Sequence, residues 1–146
     1  MSAADTMENS ILKLILQNIA FANIGDASGL QPSATAGSLY VSLHTADPGE
    51  AGSQTTNEVA YTSYARVAVA RSAGGFTVTA EVGTNTAAVT FPQCTGSTAT
   101  ATHFGIGTAS SGTGVLLFSG ALNASLAIAN LIQPEFAAGQ LSITGA

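Results

Sequence analysis

Charge is what this sequence has least of. Its 146 residues hold three Lys and Arg and eight Asp and Glu, 8% of the chain, where an ordinary soluble domain carries about 25%. Lys13, Arg66 and Arg71 are too few and too scattered to neutralise a run of phosphates, and the net charge of −5 opposes such a ligand. Direct nucleic-acid binding is therefore excluded as an expectation, and so is adsorption to an anionic membrane. Cys94 is the only cysteine, so no disulfide closes within the chain, which fits assembly in a reducing cytoplasm. Long apolar runs are missing too. The longest, Ile11 to Ile24, is broken by Lys13, Gln17, Asn18 and Asn23, too short and too polar to span a bilayer. Asp5 and Glu8 stand where a secretory signal would place cations, so a mature cytoplasmic product is expected.

What is present is apolar and small. Apolar residues make up 46% of the chain, enough for a core in one domain of this length, and Gly, Ala, Ser and Thr supply most of the rest. A surface of hydroxyls and methyls suits a subunit whose faces are covered by neighbours.

Periodicity divides the chain at about residue 37. Asp5 as cap and Glu8 as its capping-box partner open a helix, with Met7, Ile11, Leu14, Ile15 and Ile19 at three- and four-residue spacing. Leu12 and Leu16 widen that stripe, and the helix is predicted to end around Asn23 to Gly25. A Gly, Pro and Ser-rich connector runs to Gly37. From Ser38 the period becomes two: Leu39, Val41 and Leu43 against Tyr40, Ser42 and His44, then Arg66–Arg71, then Phe76, Val78, Ala80 and Val82. Further strands are predicted at Thr86–Phe91, Ala101–Thr108, Val115–Ser119, Ala121–Ile128 and Leu141–Thr144. Turn residues at Asp47–Gly49, Gly74–Gly75, Ser111–Gly114 and Ala138–Gly139 separate them. The expected fold is all-β: a β-sandwich with one N-terminal α-helix, its architecture a jelly roll of about eight antiparallel strands. Residues 1–37 form the helix and connector arm, and residues 38–146 the sandwich.

No constellation of chemical groups stands out. His44 and His103, on the less apolar faces of two strands, lack ligand spacing such as H-E-x-x-H, so surface or interface histidines are expected in place of a metal site. The flanks of Cys94 offer nothing that would lower a thiol pKa, which points to an inert, partly buried side chain. The glycines from Gly105 to Gly114 lead into a strand with no lysine, which makes a hairpin and no phosphate loop. Asp47 and Glu50 share a solvated turn. Glu58 and Arg66 are able to pair across the connector as a modest structural contact. No catalytic residue, cofactor or metal is expected.

One ordered set of motifs goes further. Leu39 to Ser53 (LYVSLHTADPGEAGS), then Asn57-Glu58-Val59, then Tyr64-Ala65-Arg66-Val67, resembles a family of small tailed-bacteriophage virion proteins. Asn85 to Pro92, Thr102 to Ile106, Leu117 to Leu122, Phe136 to Gly139 and Leu141 to Thr144 follow in that family's order. The resemblance covers Leu39 to Thr144 and leaves the helix outside. Members are described as tail-fibre proteins or as head decoration (cement) proteins, the latter jelly rolls that sit as dimers over capsomer junctions. No site residues are defined for such a family.

Tail fibres are commonly long trimers of repeats or coiled coils, and this chain has neither a repeat nor sustained heptads. The expectation is therefore a capsid decoration protein on the virion's capsid surface. It would bind the major capsid protein and itself, as a homo-oligomer with a dimer favoured, and contact neither nucleic acid nor membrane. Its contact elements would be the helix, through Ile11, Leu14 and Ile15, and the long loop, through Asp47, Glu50 and Glu58. Removing residues 1–24 should then abolish binding and leave the sandwich folded. The alternatives are a tail or tail-fibre component, and a carbohydrate-binding module, for which the absence of tryptophan is unfavourable.

Overall fold

The structure, a computed structural model, describes residues 1–145. Its elements are α1 (Asp5–Gln17), β1 (Ser38–His44), β2 (Val67–Ala70), β3 (Phe76–Thr79), β4 (Val82–Asn85), β5 (Val89–Thr90), β6 (Ala99–Gly107), β7 (Leu116–Ile128), β8 (Glu135–Phe136) and β9 (Ser142–Thr144). The chain is mainly antiparallel β with one helix, in agreement with the all-β sandwich class expected from the alternation. A jelly roll uses eight strands in two sheets. Among the described residues nine strands fall into sheets of order β2-β1-β6-β7, β3-β4-β9 and β5-β8. They belong to two compact units.

The first unit comprises, of the described residues, 1–38, 69–88 and 136–145, so the residues set apart above as an arm fold together with two later segments. Leu12 and Leu16 of α1 are fully buried with Phe76, Val78, Leu141 and Ile143, and the helix packs on β3 and β4. A Cβ at Gly83 would stand 2.4 Å from Leu16 Cδ1, so glycine on β4 is what lets that leucine seat. Asn85, 1% exposed, fastens the C-terminal segment. Its Nδ2 donates to the carbonyls of Ala87 and Ala137 at 2.8 and 2.9 Å, and its Oδ1 accepts from Leu141 N at 2.9 Å.

The helix differs from expectation at both ends. Ala4 is the cap and Asp5 is already helical, with no side-chain cap bond. Asn18, left-handed at φ 57°, stops the helix seven residues before Gly25, the glycine expected to do so. Asn adopts that conformation more readily than other non-glycine residues, and here its side chain also trades hydrogen bonds with the backbone of Ser33. The freed carbonyls of Leu14 and Ile15 accept from Arg71 Nη2 and Nε at 2.7 Å. A guanidinium at a helix C-terminus is favourable both as donor and as charge. The strand expected from Phe76 through Val82 is in fact a hairpin. Ala80 and Glu81 turn at φ 46° and 68°, the positive pair of a two-residue turn, although neither residue advertises it.

The second unit comprises residues 39–68 and 89–135. β1 pairs antiparallel with β6, from Tyr40 opposite Gly107 to His44 opposite His103. Leu39, Val41, Leu43, Val59, Tyr61, Phe91, Ala101, Ile106 and Ile128 are buried. The two strands expected at 115–119 and 121–128 are one, β7, paired with β6. Its register slips where Thr102 alone stands against residues 122–125, which makes an extended bulge.

Candidate contact surfaces

In the second unit, the loop after β1 is built from the inside. Arg66 Nε and Nη2 grip the two carboxylate oxygens of Glu58 at 2.7 and 2.8 Å. Nη1 and Nη2 also donate to the carbonyls of Ala109 and Gly112, and Tyr64 OH donates to Glu58 at 2.8 Å. The Arg66 side chain is 3% exposed and that of Glu58 14%, so the pair that looked modest in the sequence is nearly buried. Its hydrogen bonds to Glu58 raise the Arg66 pKa further. Burial, helped by the Glu58 carboxylate, pushes the Tyr64 phenol far up. Arg66 and Tyr64 thus keep the protons that their hydrogen bonds to Glu58 require.

Gln54 closes the loop from the other side. It is wholly buried, and its amide pairs with Ala109 in both directions, Nε2 to the carbonyl at 3.2 Å and Oε1 from the N–H at 2.9 Å. A Cβ at Gly107 would meet Gln54 Cδ at 2.2 Å and one at Gly114 would meet Oε1 at 2.0 Å. Those glycines make room for this side chain, which is the physical content of the Gly-rich hairpin.

His44 is not a surface residue, as its strand parity had suggested: it is 0% exposed. β1 buries both faces towards its end, so period two no longer sorts inside from outside. His44 Nδ1 lies 2.8 Å from the Thr56 carbonyl, which only accepts, so Nδ1 carries the proton and Nε2 accepts from Ser42 Oγ at 2.8 Å. Ser42 is buried as well, and the pair fastens β1 to the loop. Burial, above the other influences, lowers the His44 pKa from its ordinary 6.5. A neutral histidine favoured in the fold stabilises it fully above that ordinary value, and the contribution is lost as pH falls from there through the lowered folded value. Wild type should therefore melt progressively lower between pH 7.5 and 5.5, and by more than His44→Asn, whose amide keeps the donor to Thr56 without titrating. Parallel melting curves for the two proteins would remove His44 as the cause.

Although His44 and His103 face each other in register, no group of three or more His, Cys, Asp or Glu is placed to hold a metal among the described residues. Cys94 is buried, with Sγ 3.1 Å from the Gly96 carbonyl.

Of the expected contact residues, Asp47 and Glu50 are exposed, while the carboxylate of Glu58 is spent on Arg66 and Tyr64. Asp47 Oδ1 accepts from Gly49 N at 2.9 Å, holding the turn. In the first unit Ile11, Leu14 and Ile15 are half-buried and Met7 is 50% exposed. At 3.6 residues per turn, Met7, Ile11 and Leu14 share a face roughly opposite Leu12 and Leu16, with Ile15 on the flank. The two leucines read as widening the apolar stripe form the core face, and the stripe through Met7, Ile11 and Leu14 lies on the outward side. Asp5 and Glu8 crowd Glu81 at the start of the helix and hold its carboxyl above the usual range, Asp5 contributing most.

Arg71 and Gln54 were invisible in the sequence, because their partners lie more than fifty residues away. With Arg66 and Arg71 both committed to backbone carbonyls, two of the three cations serve the interior.

The sequence from residue 2 to residue 144 matches the model of a family described as podophage GP4 fiber I protein gp80. The chain belongs to this family. It is accordingly a bacteriophage virion protein, a structural component of the phage particle. No curated protein matches it. The family match begins ahead of α1, so the helix, which the motif resemblance left outside, is part of what the family shares. No helix is long and apolar enough to cross a membrane among the described residues.

Proposed function

We propose that the chain is a structural subunit of the phage fibre apparatus, seated on another virion protein through the outward face of α1 and acting by binding alone. The family description supports the fibre assignment. The observation that carries the docking role is the doubled apolar character of the helix. Leu12 and Leu16 already satisfy the fold, yet Met7, Ile11 and Leu14 are apolar on the other side. A surface helix that serves only its own fold needs one apolar stripe and a polar back, and further apolar area marks a partner.

Head decoration through the major capsid protein is the second reading. It is favoured by the brevity of the 13-residue helix, which is far short of the sustained heptads of a coiled-coil shaft.

The docking role is tested with Met7→Glu combined with Ile11→Glu, supplied to a phage that lacks its own copy. The variant should fold, because the buried leucines are untouched. Its amount in purified particles should fall about tenfold or more, as expected when some 1.4 kcal/mol of binding is lost. Incorporation at the wild-type level would rule out this face as the seat.

A further inference from the structure

Three carboxylates meet where α1 begins. Glu81, in the turn between β3 and β4, shares side-chain hydrogen bonds with Asp5 and Glu8. Gly145 N donates to the Glu81 carbonyl at 3.0 Å, and a Cβ on Gly145 would stand 3.1 Å from Glu8 Cβ, so the C-terminal segment holds the two together. Asp5 is exposed and the other two are partly so. The described residues of this unit contain one Lys and one Arg, and neither stands among the three. Lys13 lies about 140° round the helix from Glu8, and Arg71 is bound at the other end of α1. Glu8 also borders the outward apolar stripe, since it follows Met7 directly and residues three apart, such as Glu8 and Ile11, are neighbours on a helix surface.

We infer that the partner seated on the outward face of α1 is a segment of another virion protein, apolar where it covers Met7 and Ile11 and carrying Lys or Arg where it meets Glu8 and Glu81. The inference rests on the docking role proposed above and names the chemistry of its partner. Whatever covers Met7 and Ile11 also takes water from Glu8, and a carboxylate that loses water without gaining a countercharge is strongly disfavoured. This unit has no lysine or arginine placed to supply that charge, so the partner must bring it. The cluster is ready for it. Repulsion from Asp5 above all, and from Glu8, keeps the Glu81 carboxyl above its ordinary range, and an arriving cation relieves that crowding while it binds. Complementary charge of this kind also fixes register and rejects wrong partners. A second copy of this chain is one of those, because it would bring the same carboxylates to the same face. The apolar stripe supplies contact area, and the carboxylates at its end decide which way round the partner lies.

The test compares Glu8→Gln with Glu81→Gln, and Glu8→Lys with Glu81→Lys, each pair supplied as the full chain to a phage that lacks its own copy. The Gln pair removes like charges that repel, so its circular dichroism and melting temperature should match or exceed the wild type. Its amount in purified particles should nevertheless fall about tenfold, because the partner's cations lose their countercharge. The Lys pair should fall roughly tenfold further, since like charges then meet across the contact. Asp5→Asn with Glu8→Gln, which leaves the β3–β4 turn intact, should repeat the loss if either pair disturbs the fold. A Gln pair incorporated at the wild-type level, or a Lys pair incorporated as well as the Gln pair, would overturn the cationic partner. The result for Met7→Glu with Ile11→Glu separates the two readings. If that variant is lost from particles while the carboxylate variants remain, the docking face stands and its proposed partner chemistry falls. If that variant is also retained, the docking face itself is wrong.

Discussion

Arg66→Ala is expected to destabilise the protein by about 3–5 kcal/mol, the usual cost of removing one partner of a buried ion pair. The substitution strands the Glu58 carboxylate at 14% exposure with only Tyr64 to donate to it. It also frees the carbonyl of Gly112 and leaves that of Ala109 to Gln54 alone, so the hairpin between β6 and β7 loses one of its two ties to the loop. For a chain of this length each kcal/mol shifts the melting temperature by about 2–4 °C, so a drop on the order of 10 °C is expected. Replacing both partners at once with apolar residues, as in Glu58→Leu with Arg66→Met, should recover much of the loss, because no charge is left buried. Thermal melts of the single and double variants decide the matter. A single variant within about 1 kcal/mol of wild type would mean that water screens the pair as it screens surface ion pairs.

Removing residues 1–24 has the second large effect, and it runs against the expectation that the deletion abolishes binding yet leaves the rest of the chain folded. The deletion takes away Leu12 at 1% exposure and Leu16 at 0%. Truncating one such leucine to alanine costs about 2–5 kcal/mol, and losing two approaches the whole stability of a typical domain, about 5–15 kcal/mol. It also uncovers Gly83 and leaves Arg71 without the helix carbonyls it caps. The first unit should therefore lose its fold, seen as collapse of amide chemical-shift dispersion for Phe76, Gly83 and Ile143. Retained dispersion at those residues would show that the helix contributes little to that core. Outward-face substitutions are for this reason the cleaner probe of docking, since they spare Leu12 and Leu16.

How far the sequence carries shows first in the strands. Alternation located β1, β2, β6, β9 and both halves of β7, because Thr and Val at period two leave little else for the backbone to do. It could not separate β3 from β4: Phe76, Val78, Ala80 and Val82 keep perfect parity through a turn that is made by backbone angles at Ala80 and Glu81. Nor could periodicity say which helical stripe faces inward when both are apolar. That is settled by the hole at Gly83, a glycine 67 positions further on than Leu16. The pairing of Glu58 with Arg66 was legible in the sequence, but only the fold adds Tyr64 and buries the three as one hydrogen-bonded cluster. His44, in the same pattern, changed from a surface group to a buried one because β1 buries both of its faces.

The assignment to the fibre is tested most directly by separating purified particles into heads and tails with their fibres, and counting copies of this chain in each by quantitative mass spectrometry. A small fixed number of copies confined to the tail fraction is the expected result. Hundreds of copies on heads, with none on tails, would contradict it and make the chain a decoration protein of the capsid.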